Sequence, residues 1–142
     1  MIKIRKIKNN SMQPTLKNGD YVLTKKSKKF KRNQIVIFNF QNTLIIKRII
    51  GIEGDHILIT EGQVHLNKLT ISNDYLKGLP ESNYTDFHDL TIPYNNFYVL
   101  GDNRRQSSKD SREIGSIEEE GMSEIGLSRI WPSNFFKEIT LG

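Results

Sequence analysis

The chain contains no cysteine, so neither a disulfide framework nor a thiolate metal site is open to it. Alanine, the best helix former, is also absent, while isoleucine is abundant; the composition therefore leans towards sheet. No apolar run approaches the roughly 18–20 residues that cross a bilayer. Ile2 to Lys8 alternates apolar and basic residues, which is not the continuous apolar core of a secretory signal. Histidine is scarce. His56 and His65 fall within one predicted hairpin, a placement that would let them face each other, and nothing with ligand spacing accompanies them. No metal, no cofactor and no histidine-based triad is expected.

What is present amounts to one domain, residues 1–142, long enough for a single core. Period-two alternation predicts strands at Ile2–Arg5, Tyr21–Leu23, Ile35–Phe38, Leu44–Ile46, Leu69–Ile71 and Phe97–Leu100. Asn39–Thr43 is read as the loop of a hairpin. His56–Thr60, Glu61-Gly62 and Gln63–Leu66 form a second hairpin with a glycine-bearing turn. Residues 72–91 are polar, with Gly78 and Pro80, and are read as a loop or insertion. A short helical turn is expected within Ile117–Ser123, and a last strand over Gly126–Ile130. The expected fold is mostly β, with antiparallel sheets around one core and little helix.

Two segments carry the chemistry. A serine hydroxyl is a weak nucleophile until a neighbouring base takes its proton. Ser11 precedes Met12-Gln13-Pro14, and Pro14 fixes the direction in which the chain leaves it. Lys47 lies among Leu44, Ile45, Ile46, Ile49 and Ile50. Apolar residues on both parities point to a strand buried on both faces, and burial strips charge from a lysine and makes it a base.

These segments resemble the boxes of type I signal peptidases, the Ser-Lys family that removes secretory signal peptides. The serine box is Ser11-Met12-Gln13-Pro14-Thr15-Leu16 with Gly19-Asp20-Tyr21-Val22-Leu23. The lysine box is Ile46-Lys47-Arg48-Ile49-Ile50-Gly51-Ile52-Glu53-Gly54-Asp55, with Glu53 where the family commonly has proline. The third runs from Tyr98-Val99-Leu100-Gly101-Asp102-Asn103-Arg104 to Asp110-Ser111-Arg112, and Gly126–Pro132 is similar to the family's last strand.

The resemblance implies a serine endopeptidase acting through an acyl-enzyme, with Ser11 as nucleophile and Lys47 as general base. It implies the Ser11 N–H as an oxyanion donor. Asn9 stands where many members place a second donor, and residues i and i−2 share a face of an extended segment; Asn9 as a turn residue stays equally open. Asp110 is the implied partner of Arg48, and an Asp110–Arg112 pair supports the site. The third box is one residue longer than usual. Counting from its front selects Ser107 as the serine that contacts the lysine, and counting back from Asp110 selects Ser108. We take Ser108.

Basic residues cluster at Lys25, Lys26, Lys28, Lys29, Lys31 and Arg32. A solvated loop, a nucleic-acid contact and an anionic membrane surface all fit such a run. The lone Phe30 argues against base stacking, and the resemblance favours the membrane, so no nucleic acid is expected. It also implies secretory preproteins as substrates and a location on the extracytoplasmic face of the plasma membrane. Members usually carry an anchor before the serine box; only ten residues precede Ser11, so the anchor is expected to be missing from this chain. Two other functions stay in view: a signal-peptidase-like factor of Gram-positive pilus assembly acting on pilin or pilin precursors, and a LexA-like autoprotease. The second is disfavoured, since the chain has neither the Ala-Gly nor the Cys-Gly bond such proteins cut.

Overall fold

The computed structural model describes residues 2–71 and 87–130. Strands dominate, in two antiparallel sheets. The larger contains β1 (Ile2–Lys6), β2 (Tyr21–Lys26), β3 (Ile35–Phe40), β4 (Thr43–Ile52), β9 (Asn96–Leu100), β10 (Ile117–Glu118) and β11 (Met122–Ile130). Their order across the sheet is β1-β2-β11-β3-β4-β9-β10. The smaller sheet, ordered β7-β6-β5-β8, contains β5 (His56–Thr60), β6 (Gln63–Leu66), β7 (Leu69–Thr70) and β8 (His88–Thr91).

Tight turns set the registers. Gln41 and Asn42 both have positive φ, 50° and 63°, and join β3 to β4 with Phe40 opposite Thr43. The five-residue loop expected at Asn39–Thr43 is thus a two-residue turn, whose backbone twist matches the strands it connects. Glu61 and Gly62 make the same kind of turn between β5 and β6. Asn67 and Lys68 repeat it before β7.

β4 is buried on both faces, as its isoleucines predict. Ile45 and Ile49 pack with Val36, Phe38, Phe97 and Val99, while the adjacent Ile50 packs with Ile57, Ile59, Ile92 and Tyr98. The second cluster draws residues from both sheets and so joins them. Full burial of one such side chain stabilises by about 1.5–3 kcal/mol. A third cluster, Ile7, Met12, Leu16 and Val22, holds the segment between β1 and β2.

Three elements depart from the expected reading. His88–Thr91, inside the presumed 72–91 loop, is a strand that pairs with β5; its polar side chains hid it, and the rest of that loop, 72–86, lies outside the described residues. A four-residue helix, α1 (Ser111–Ile114), is capped by the Asp110 carboxylate, which accepts from the Arg112 N–H. The last strand begins at Met122, four residues early, after a 3-10 turn at Glu119–Gly121. Residues 131–132 of the fourth box fall outside the description. His56 and His65 do not face each other: Leu58 is opposite His65, and His56 Nε2 meets Asp89.

Candidate active site

Ser11 opens a compact turn. Its side of the chain is fixed by Leu16 N–H donating to the Met12 carbonyl at 2.9 Å and by the burial of Met12 and Leu16 beneath it. The Gln13–Pro14 peptide is cis. Ser11 itself is buried, at 6% exposure.

The third box clamps this turn from the other side. Asn103 N–H donates to the Ser11 carbonyl at 2.9 Å, and Asn103 Nδ2 donates to the Asn10 carbonyl at 3.1 Å. Gly101 lies so close that an added Cβ would stand 2.7 Å from the Ser11 carbonyl oxygen and 2.2 Å from Ser107 Oγ. Only glycine fits there. Arg104 Nε closes the loop on the Gly101 carbonyl at 3.0 Å.

Asp102 is the hub that sequence reading overlooked. Arg48 grips it with two hydrogen bonds, Nε to Oδ1 at 2.9 Å and Nη2 to Oδ2 at 2.8 Å, and Thr15 Oγ1 donates to it at 2.6 Å. The lysine box, the serine box and the third box therefore meet on one carboxylate. The expected Arg48–Asp110 pair is not formed. Arg48 leaves β4 opposite Leu100, two residues before Asp102, so the nearer carboxylate takes it. A charged residue at every box was the available signal for Asp102.

Asp110 is held instead by Arg112, through Nη2 at 2.8 Å and Nε at 3.1 Å, by Ser107 Oγ at 2.8 Å and by the Gly101 N–H. Burial pulls its carboxyl upward, but the Arg112 and Ser107 hydrogen bonds outweigh that and hold it below the usual carboxylate range.

Lys47 sits in the middle of β4, opposite Val36 and on the parity of Ile45 and Ile49. It is 3% exposed. Burial drives its amine from 10.5 down to about 8; Asp110 pulls it up and Arg112 pushes it further down. An amine at about 8 is largely protonated at neutral pH yet delivers its free base readily, which suits a general base.

Ser11 and Lys47, 36 positions apart, line one cleft of about 830 Å³ together with Asn9 and Ser108. Of the two serines left open by counting, Ser108 faces this cleft, and Ser107 lies behind it on Asp110. Asn9 is placed differently from the expected donor. Its Oδ1 accepts the Ser11 N–H at 3.1 Å, while its own N–H donates to Asn18 Oδ1 at 2.8 Å.

A family model described as "Signal peptidase, peptidase S26" matches residues 1–131. The chain belongs to the signal peptidase S26 family. It is 34% identical over 116 residues to a signal peptidase I of Bacillus amyloliquefaciens, covering 74% of this chain and 63% of that protein. To a probable signal peptidase I-2 of Synechocystis it is 31% identical over 140 residues, 90% of this chain and 62% of the relative. To signal peptidase IB of Staphylococcus aureus it is 31% identical, covering 92% and 78%. The chain thus spans less than two thirds of the first two relatives. A crystal structure of a signal peptidase I from Enterococcus faecalis superposes with a TM-score of 0.58 at 27% identity, over 70% of this chain and 97% of that one. The mostly β architecture is that of the signal peptidase fold.

Proposed function

We propose that this chain is the catalytic part of a type I signal peptidase and cuts secretory precursors through a Ser11–Lys47 dyad. The observation that carries the reading is the shared cleft: a buried serine from the turn between β1 and β2, and a buried lysine of β4 whose amine is shifted to about 8, both line it. Ser11 Oγ attacks the scissile carbonyl carbon as Lys47 Nζ takes the hydroxyl proton. The tetrahedral oxyanion then expels the leaving amine, to which Lys47 returns that proton, and an acyl ester remains on Ser11. Water, deprotonated by Lys47, hydrolyses the ester and restores both groups.

The oxyanion draws on the Ser11 N–H. Asn9 Oδ1 holds that donor in the free chain, so the Asn9 carboxamide must turn away when substrate enters, presenting Nδ2 to the oxyanion. Ser108 supports the Lys47 amine from the cleft wall. Asp110 and Arg112 set the field around it, and Arg48 braces the serine turn through Asp102. Small residues at the first and third positions before the cut follow from the family likeness.

Among the described residues no helix is long and apolar enough to cross a membrane. We place the site of action on the extracytoplasmic face of the plasma membrane. Lys25, Lys26, Lys28, Lys29 and Lys31 are all exposed and offer a contact for anionic lipid, worth about 1 kcal/mol per residue near the surface.

The test is cleavage of a secretory precursor with small residues at those two positions, run beside a pilin precursor. Wild type should cut the secretory precursor and form a mass adduct on Ser11 with an acylating inhibitor. Ser11→Ala and Lys47→Ala, both folded by circular dichroism, should do neither. Cleavage surviving in either variant rules out the dyad.

A further inference from the structure

The cleft around Ser11 has a one-sided charge. Its lining includes Arg5, Lys6, Lys8 and Lys109 besides Lys47 and, among the described residues, not one Asp or Glu. Arg5 is neutralised by Glu124, with which it forms an ion pair, and Thr24 donates to the same carboxylate. The Lys6 ammonium lies 5.9 Å from the Tyr21 ring centroid. Lys8 and Lys109 are both exposed, and neither forms an ion pair among the described residues.

These two lysines are anchored at their backbones. Lys8 lies between buried Ile7 and Asn9, whose N–H is fixed on Asn18. The Lys109 N–H donates to Glu113 Oε2 at 2.7 Å, which ties the loop to α1. One comes from the segment just before Ser11 and the other from the third box, so the cleft takes cations from two separate parts of the chain.

We infer that this cleft selects peptides carrying Asp or Glu beside the scissile bond, with Lys8 and Lys109 as the specificity-determining residues. The inference rests on the peptidase reading of the site. Cations at a cleft with low-dielectric walls raise the local concentration of anionic ligands, and like charge penalises the wrong ones. A strand advances about 3.3 Å per residue and the Debye length is ~10 Å at 0.1 M salt, so the carboxylates must lie within about three residues of the cut.

The experiment uses Ser11→Ala as a non-cleaving trap, and labelled peptides that keep small residues at the first and third positions before the cut and differ only in an Asp-Asp, Ser-Ser or Lys-Lys pair directly after it. Anisotropy should give the acidic peptide the lowest Kd, about 3–10-fold below the basic one at 50 mM salt, and converge within about twofold at 1 M, where screening is nearly complete. Lys8→Glu combined with Lys109→Glu in the trap should reverse the order. Lys28→Glu combined with Lys29→Glu makes the same change of net charge elsewhere and should preserve it. Equal affinities, or an equal response to both charge reversals, overturn the inference. Cleavage of the Ser-Ser peptide by the wild type reads the peptidase assignment separately, so binding preference and catalysis fail independently.

Discussion

The side-chain oxygen of Asn9 occupies the N–H of Ser11 at 3.1 Å. A group two residues before the proposed nucleophile thus holds, in the free chain, the donor that the proposed mechanism assigns to the oxyanion. Exchange at this position separates holding from helping. Asn9→Asp puts a carboxylate on the same N–H, binding the donor more firmly and repelling the developing negative charge. Loss of one oxyanion donor costs ~10²–10³ in rate, so kcat should fall by that order with little change in KM. Asn9→Ser, with a short hydroxyl donor, should stay within about tenfold of wild type. Steady-state kinetics on one peptide decide it, and an unimpaired Asn9→Asp enzyme would remove Asn9 from the oxyanion site.

In the proposed dyad, Lys47 sets the pH dependence. With its amine at about 8, kcat/KM should climb nearly tenfold from pH 6 to 7 and reach half its plateau near pH 8. Asp110 raises this amine, so Asp110→Asn should shift the midpoint to lower pH. A midpoint that ignores Asp110 would mean another group is titrating.

The same burial leaves a signature in stability. The unfolded amine titrates at 10.5 and the folded one at about 8, so between these values the unfolded chain binds more protons. Stability therefore rises with pH across that window, and the folded state carries the full burden of the buried charge below it. A shift of that size corresponds to about 3 kcal/mol. Urea unfolding of wild type and Lys47→Met from pH 7.5 to 10 should show the climb in wild type alone, after subtraction of the shared slope.

Arg48 and Asp102 are a buried pair, with side-chain exposures of 15% and 1%. Removing the cation alone strands a carboxylate, which typically costs ~3–5 kcal/mol. Arg48→Met should lower the denaturation midpoint accordingly, and adding Asp102→Asn should recover part of the loss, because the second change removes the stranded charge. Two independent, additive losses would show that the pair is not coupled.

Gly101→Ala tests the clamp on the serine turn. Its Cβ would meet both Ser107 and the Ser11 carbonyl. Ser107→Gly would remove the Cβ and Oγ it meets, but the Ser11 carbonyl stays at 2.7 Å, so the rescue should be only partial. Overpacking of this kind costs ~1–3 kcal/mol, and kcat should drop further than stability alone explains. Calorimetry and kinetics on the same preparations separate the two.

Local features were legible along the chain. The β3–β4 and β5–β6 hairpins follow from alternation and short turns, because their pairing is between neighbours in sequence. Doubly buried β4 was readable from isoleucines on both parities around Lys47. β8 was not, since His88-Asp89-Leu90-Thr91 lacks an apolar face and becomes a strand only because β5 offers an edge. α1 escaped because four residues have no period, and a cap defines them instead.

Sequence by itself determined which residue types were available: a serine before a proline turn, a lysine inside an apolar strand, and charged residues spaced through the third box. Tertiary structure alone decided their partners. Arg48 chose Asp102 over Asp110, Ser107 went to Asp110 while Ser108 faced the cleft, and Asn9 took the Ser11 N–H. The reason is physical: a buried charge is stabilised by whichever opposite group the packing brings within reach, and that reach is set by strand registers spanning tens of residues.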